Sequence, residues 1–332
     1  GSYKLVFNIF MGIGFAGFFY FLKDELKLKS FAHYLSIPVV LLPAVTYFHN
    51  LPNHDRSKDY LPYDYGYNIL TSCPPNSILF TQGDNDTFPL WFLQEVEKIR
   101  LDIKVVNLSL LNAPWYVKQL KSIEPKVNFR FSDEEIDRQL QGAYPLVDSD
   151  YHFKSDNIET TIPKGNYLRV QDIGVMELIR SNYGERPICF SMTVGPDGQI
   201  GLSKYFVQKG MIFEIADSVV KIDTVVQDDG SVTVDTVRKG PIIDQNGMED
   251  ALLNQFRYTN LQDSTTNLGK EGSRYVKGYA DLFDKLADSY KQSGNQEKAL
   301  EILTKGTEIL PYVGLSHFFL GMFYFEDKDY NK

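Results

Sequence analysis

The residues whose types and spacing best suit chemistry lie in one run, Thr81-Gln82-Gly83-Asp84-Asn85-Asp86-Thr87-Phe88-Pro89. Two carboxylates and an amide at consecutive positions, Asp84, Asn85 and Asp86, offer hard oxygen ligands to a divalent cation, and the same groups hydrogen-bond sugar hydroxyls. A plainer reading makes Asp86 or Thr87 the N-cap of a helix, with Asp84 and Asn85 in an Asx-type turn and Pro89 near the first helical turn. The run lacks the glycines of a dinucleotide fingerprint or a P-loop, which argues against a nucleotide site. Asn107, Asn112 and Trp115 follow the next apolar run and are candidates for the same crevice, although capping and packing account for them equally. A second polar cluster, His54, Asp55 and Arg56, supplies a base, an acid and a cation, or simply a solvated linker. No catalytic residue emerges: of the five histidines only His54 and His152 fall in this part of the chain, so no Ser/His/Asp or Cys/His nucleophile can be assembled.

The elements that must position these residues follow from apolar patterning. Asn76–Thr81 reads as a short buried strand, Thr87–Ile99 as a helix and Ile103–Leu108 as a second strand, which together make a βαβ unit with a parallel pair. The acidic run then sits at the carboxyl end of a strand and the start of a helix, where open α/β sheets bind ligands. A helix over Asp172–Tyr183 and a strand over Pro187–Val194 extend the sheet, and residues 125–165 read as an irregular insertion. Hairpins are expected over Tyr205–Ile215 about Gly210 and over Val219–Val237 about Asp228-Asp229-Gly230. The fold class is α/β, mixed, with its α/β domain over 50–245.

Residues 1–49 carry two long apolar runs, 3–22 and 31–48, which predict transmembrane helices. The second contains Pro38 and Pro43, so a kinked, packed helix is expected. Three lysines in the loop between them, Lys23, Lys27 and Lys29, place that loop in the cytoplasm and the soluble domain outside it. Both chain ends look cut. Residues 246–332 read as helical, with one complete and one truncated tetratricopeptide repeat from about 280: Leu286, Ala287 and Tyr290 recur 34 residues on as Leu320, Gly321 and Tyr324. A net charge of -9 excludes the usual nucleic-acid binder. Cys73 and Cys189 are too few for a disulfide framework and lack metal-ligand spacing; they read as free buried thiols, with a disulfide between them as the alternative that an outward-facing compartment permits.

The runs Asn53–Ser57, Asn68–Leu70, Cys73–Trp91 and Val105–Asn112, with Phe256-Arg257-Tyr258 and Arg274, closely resemble the part after the last membrane helices of a bacterial family of multi-pass membrane proteins. That family carries a domain of uncharacterised role and is grouped with protein O-mannosyltransferases of the glycosyltransferase-C type. The resemblance implies an inner-membrane enzyme with a periplasmic domain that moves a sugar from a lipid-linked donor to a protein acceptor. The catalytic acid of such enzymes lies in an early loop, so the matching piece would be accessory or acceptor-binding. The partners implied are membrane lipid, a lipid-linked sugar and a protein or peptide acceptor, with a divalent cation as the conceivable cofactor. Two alternatives stand beside this reading. One is a membrane-anchored scaffold that binds protein through its repeats. The other is a metal-dependent hydrolase built on Gly83–Asp86.

Overall fold

A computed structural model of the chain describes residues 2–25, 34, 41, 44–52, 54–139, 146–219, 223–226, 232–235 and 240–326. Its contacts divide it into two units, residues 1–58 and 59–332.

The first unit opens with α1, Ser2–Tyr20, which continues as a π-helical turn over Phe21–Glu25. Here the structure corrects the sequence reading. Among the described residues no helix is long and apolar enough to cross a membrane. The physical reason is visible in the sequence, where Lys4 and Asn8 interrupt the apolar run and leave Ile9–Leu22 unbroken. That is about 21 Å of helix, roughly two thirds of a hydrocarbon core. The expected transmembrane helix over 3–22 is therefore not supported, and the one over 31–48 falls mostly outside the described residues. The placement of a multi-pass protein in a bacterial inner membrane, with a periplasmic domain, rested on those spans and is corrected with them.

The second unit is α/β. Helix α2, Leu61–Ser72, leads into β1, Ile78–Thr81, then α3, Asp84–Glu95, and β2, Lys104–Asn107. Strands β1 and β2 pair in parallel with Ile78 opposite Lys104, so the βαβ unit is present. After β2 come α4, Pro114–Ser122, and α5, Asp133–Gln139. A hairpin of β3, Tyr151–Ser155, and β4, Ile158–Ile162, follows. The described residues of 125–165 are thus more regular than their polar sequence suggested. Asp156, at φ 51°, closes the hairpin, and Phe153 and Ile158 are buried on one face of it.

Helix α6, Val170–Asn182, leads to β5, Ile188–Ser191. Antiparallel β6, Phe206–Lys209, and β7, Ile212–Ile215, meet at Gly210, while β8, Asp223–Val226, pairs with β9, Val232–Asp235. With β10, Ile242–Ile243, the six-stranded sheet runs β10-β6-β7-β5-β1-β2. β1 lies between two parallel neighbours, and Ile78, Leu79 and Phe80 are fully buried. Such a continuous apolar run marks a strand covered on both faces. Leu79 joins the core that holds Leu90 and Leu93 of α3, whereas Ile78 and Phe80 join the one that holds Val175 and Leu178 of α6.

The chain ends in helices: α7, Gln245–Asp250, then α8, Gly269–Gln292, α9, Gln296–Ile309, and α10, Gly314–Glu326. Val276, Tyr279, Ala280, Phe283, Leu286, Ala287 and Tyr290 make one apolar stripe on α8 at helical spacing. This stripe belongs to the same core as α2 and α3. Asn68 of α2 strengthens the seam: it accepts from the Arg257 amide (2.8 Å) and donates to the Arg257 carbonyl and the Tyr279 hydroxyl (both 2.9 Å).

Helices α2 and α3 approach most closely at Gly66, where an added Cβ would lie 2.9 Å from Leu93 Cδ1 and 3.1 Å from Pro89 Cβ. Helix propensity alone favours alanine there by about 1 kcal/mol, but overpacking costs about 1–3 kcal/mol. Gly66→Ala should therefore destabilise the protein by up to about 2 kcal/mol in urea unfolding. A stabilised variant would mean that the α2–α3 contact is looser than described.

Candidate functional site

The carboxyl ends of β1, β2 and β5 meet at one edge of the sheet, and the chain leaves β1 for β2 on one side and reaches β5 on the other. This is the switch point at which open α/β sheets form a crevice. Gly83, at φ 88°, makes the turn from β1 into α3, and the helix begins at Asp84. The N-cap position is thus Gly83, not Asp86 or Thr87, because a glycine alone tolerates this dihedral without strain and lets the helix start earlier.

That shift sets the roles of the acidic run. Asp84 and Asn85 lie exposed in the first turn, next to amides that have no helical partner. Asp86 turns inward and is only 1% exposed. Its Oδ2 accepts from the Gln82 amide (3.0 Å) and from the Thr193 hydroxyl beyond β5. Burial pushes the Asp86 carboxyl above the usual carboxylate range, outweighing the hydrogen bonds from Thr193, Gln82 and Thr87 that favour its charged form.

Thr87 is equally buried and donates to the Gly83 carbonyl (2.6 Å). Its oxygen then accepts from Thr81 (2.8 Å) and from Asn107 Nδ2 (2.9 Å). Asn107 also accepts from the Leu110 amide (3.0 Å), so it ties the end of β2 to the turn after β1. Asp84, Asn85, Asp86 and Asn107 are therefore brought together, but the last two are spent on internal bonds.

The remaining candidates lie elsewhere. Asn112 exchanges hydrogen bonds with Gln171, accepting from its amide (3.1 Å) and donating to its Oε1 (3.2 Å), which docks the loop after β2 on α6. Trp115 stands on α4 and is 59% exposed. It lines a groove of about 850 Å³ along the outer edge of β2. His54, Asp55 and Arg56 belong to the first unit and are exposed. Asp55 accepts from the Ser57 amide (2.9 Å), which lowers its carboxyl from the usual range. Among the described residues no three or more His, Cys, Asp or Glu side chains gather as a metal site. Cys73 and Cys189 are buried free thiols, and Cys73 donates to the Ile69 carbonyl (3.4 Å). Sequence reasoning missed Gln82, whose Oε1 accepts from the Gly195 amide (3.1 Å), and Thr193, because both act through pairing with β5 across more than a hundred residues. It also missed Trp91, the chain's other tryptophan, which lines the groove opposite Trp115 and carried its signal in rarity alone.

An open parallel-centred sheet with a polar crevice and an aromatic groove defines an α/β domain. The family described as TMEM260-associated domain 2 matches residues 62–136 and 134–236, together more than half of the chain, and the chain belongs to that family. A stretch of 138 residues is 26% identical to the protein O-mannosyl-transferase tmem260 of Dictyostelium discoideum. It covers 38% of this chain and 17% of that protein, so the chain spans well under a fifth of the relative's length. Both similarities associate the chain with an O-mannosyltransferase-like family. No solved structure matches it.

The buried Asp86 yields a signed pH test. Its native carboxyl holds a proton more tightly than the unfolded one, so from about pH 4 up to the native value the folded state binds more protons and this group's contribution to stability falls as pH rises. Asp86→Asn keeps an acceptor for Gln82 and Thr193 and removes the ionisation. Urea unfolding at successive pH values should show the variant gaining on wild type through that window and running parallel above it. A difference independent of pH would mean that Asp86 does not titrate as a buried acid.

Proposed function

We propose that the chain supplies an acceptor-recognising accessory domain to a glycosyltransferase of the O-mannosyltransferase type, a protein that moves sugar from a lipid-linked donor to a polypeptide acceptor. The observation that carries this reading is the division of labour in the acidic turn. Asp86, Thr87 and Asn107 are consumed in holding three strand ends together, whereas Asp84 and Asn85 present their oxygens outward at the open end of the sheet. Groups so placed suit recognition of hydroxyls or peptide amides. Transfer chemistry is assigned to other parts of the full-length protein.

A second reading, a protein-binding stack of tetratricopeptide repeats, draws support from the helical end. Leu286, Ala287, Tyr290 and Ala299 are buried where α8 and α9 pair, as that repeat requires, and α10 exposes Phe318, Met322 and Phe325.

The double variant Asp84→Ala with Asn85→Ala should keep the wild-type melting temperature closely, since exposed substitutions change stability by only about 0.5 kcal/mol. In calorimetric titration with a mannosylated threonine peptide it should bind about tenfold more weakly, about 1.4 kcal/mol. The same titration with calcium or magnesium present separates a cation-bridged contact from a direct one. Unaltered affinity in the folded variant would move the reading to the repeat-scaffold alternative.

A further inference from the structure

The groove beside β2 is distinct from the crevice above β1 and carries its own chemistry. β2 is the last strand of the sheet, and the groove runs along its free edge between α3 on one side and α4 on the other. Each helix contributes one of the chain's two tryptophans, Trp91 from α3 and Trp115 from α4. Neighbouring rings hold both: Trp91 lies 5.7 Å from Phe88, and Trp115 meets Tyr116 edge-on at 5.7 Å. At about 850 Å³ the groove sits near the top of the roughly 300–1,000 Å³ range of small-ligand sites, room for an extended ligand of several rings.

Three features select the ligand. A free strand edge would ordinarily invite an added peptide strand, but side chains already hold both ends of this one. The Tyr116 hydroxyl accepts from the Asn107 amide (3.0 Å), and Gln94 Nε2 donates to the Ile103 carbonyl (2.8 Å). Phosphate-bearing ligands are disfavoured by charge. The basic residue of the lining, Lys104, donates its amine to the Ile123 carbonyl (2.8 Å), while Glu95 and Glu124 stand exposed. What remains are flat aromatic faces with uncharged or acidic hydrogen-bonding groups beside them. An indole face is negative and attracts the slightly positive C–H face of a pyranose, and Gln119 and Glu95 are suited to ring hydroxyls.

We propose that this groove is an oligosaccharide-binding cleft, in which sugar rings lie against Trp91 and Trp115 and their hydroxyls meet Gln119 and Glu95. The choice of mannose as the sugar rests on the glycosyltransferase reading above. The polyhydroxyl class rests on the groove itself.

The placement of both tryptophans makes the protein its own reporter. Titration of the full chain with a linear mannose trisaccharide should shift tryptophan emission saturably, and calorimetry should give the same Kd. Trp115→Ala should raise Kd at least tenfold, Trp115→Phe should restore much of the loss, and the exposure of Trp115 should leave both variants folded. Asp84→Ala with Asn85→Ala should leave trisaccharide binding intact, so failure at the crevice and failure at the groove are read separately. A glucose trisaccharide that binds equally well supports the cleft while removing mannose as its particular sugar. The proposal is overturned if no trisaccharide gives a saturable change, if Trp115→Ala binds as tightly as wild type, or if an unglycosylated peptide produces the same saturating signal.

Discussion

Two adjacent residues in the first turn of α3 hold the ends of three strands. Asp86 reaches across to Thr193 beyond β5, and Thr87 contacts Thr81 of β1 and Asn107 of β2. Each of these polar groups is buried or half-buried, and a buried donor or acceptor left unpaired costs about 1–3 kcal/mol. The knot is therefore a constraint more than a sum of bonds, because removing one member strands the others. It requires Gly83 in its left-handed conformation, since only then does the helix start early enough to bring both side chains to the strand ends.

Once α3 is fixed in this way, its two faces have set tasks. Leu90 and Leu93 enter the core beneath the sheet, and Gly66 lets α2 close over them. One turn along, Trp91 and Gln94 come to the free edge of β2. Gln94 bonds the Ile103 carbonyl there, and α4 brings Tyr116 to the Asn107 amide from the other side. An inward-facing Lys104, its amine pushed below the usual lysine range by burial, completes a sealed edge that resists pairing with another chain. The groove exists because side chains bond to this edge and, among the described residues, no further strand covers it.

Much of this arrangement was legible in the sequence, and the misses have identifiable causes. The strand–helix–strand unit showed in the apolar runs about Ile78 and Val105, and Gly210 and the Asp-Gly pair marked the two hairpins. The location of the acidic turn at a strand end followed from the same pattern. Its internal roles did not, because whether Asp86 faces inward depends on where α3 begins, and one glycine decides that. Hairpin β3–β4 was hidden by polar residues on its exposed face, leaving Phe153 and Ile158 as the buried signal. Over residues 1–25 overall apolarity suggested a span, whereas the interruptions at Lys4 and Asn8 limit the unbroken apolar length, and among the described residues no helix suffices to cross a membrane.

The helical end is bound into the same logic of shared cores. A helical pair that buries one face needs something against the other, and α8 meets both needs along its 24 residues. Its first half places Tyr279 against Asn68 and the aromatic ring of Tyr258, 5.2 Å away. Its second half receives α9, closely enough that a Cβ on Gly306 would lie 3.1 Å from Phe283. Arg257, stacked 3.6 Å over Tyr67, has its backbone clasped by Asn68 and so fastens the connecting segment to α2. Because Leu70, Leu90 and Leu286 belong to one buried cluster, loosening the helices would also loosen the layer on which α3 rests. The orientation of Trp91 and of the acidic turn is thus supported from both directions, by the polar knot at the strand ends and by the helical layer behind α3.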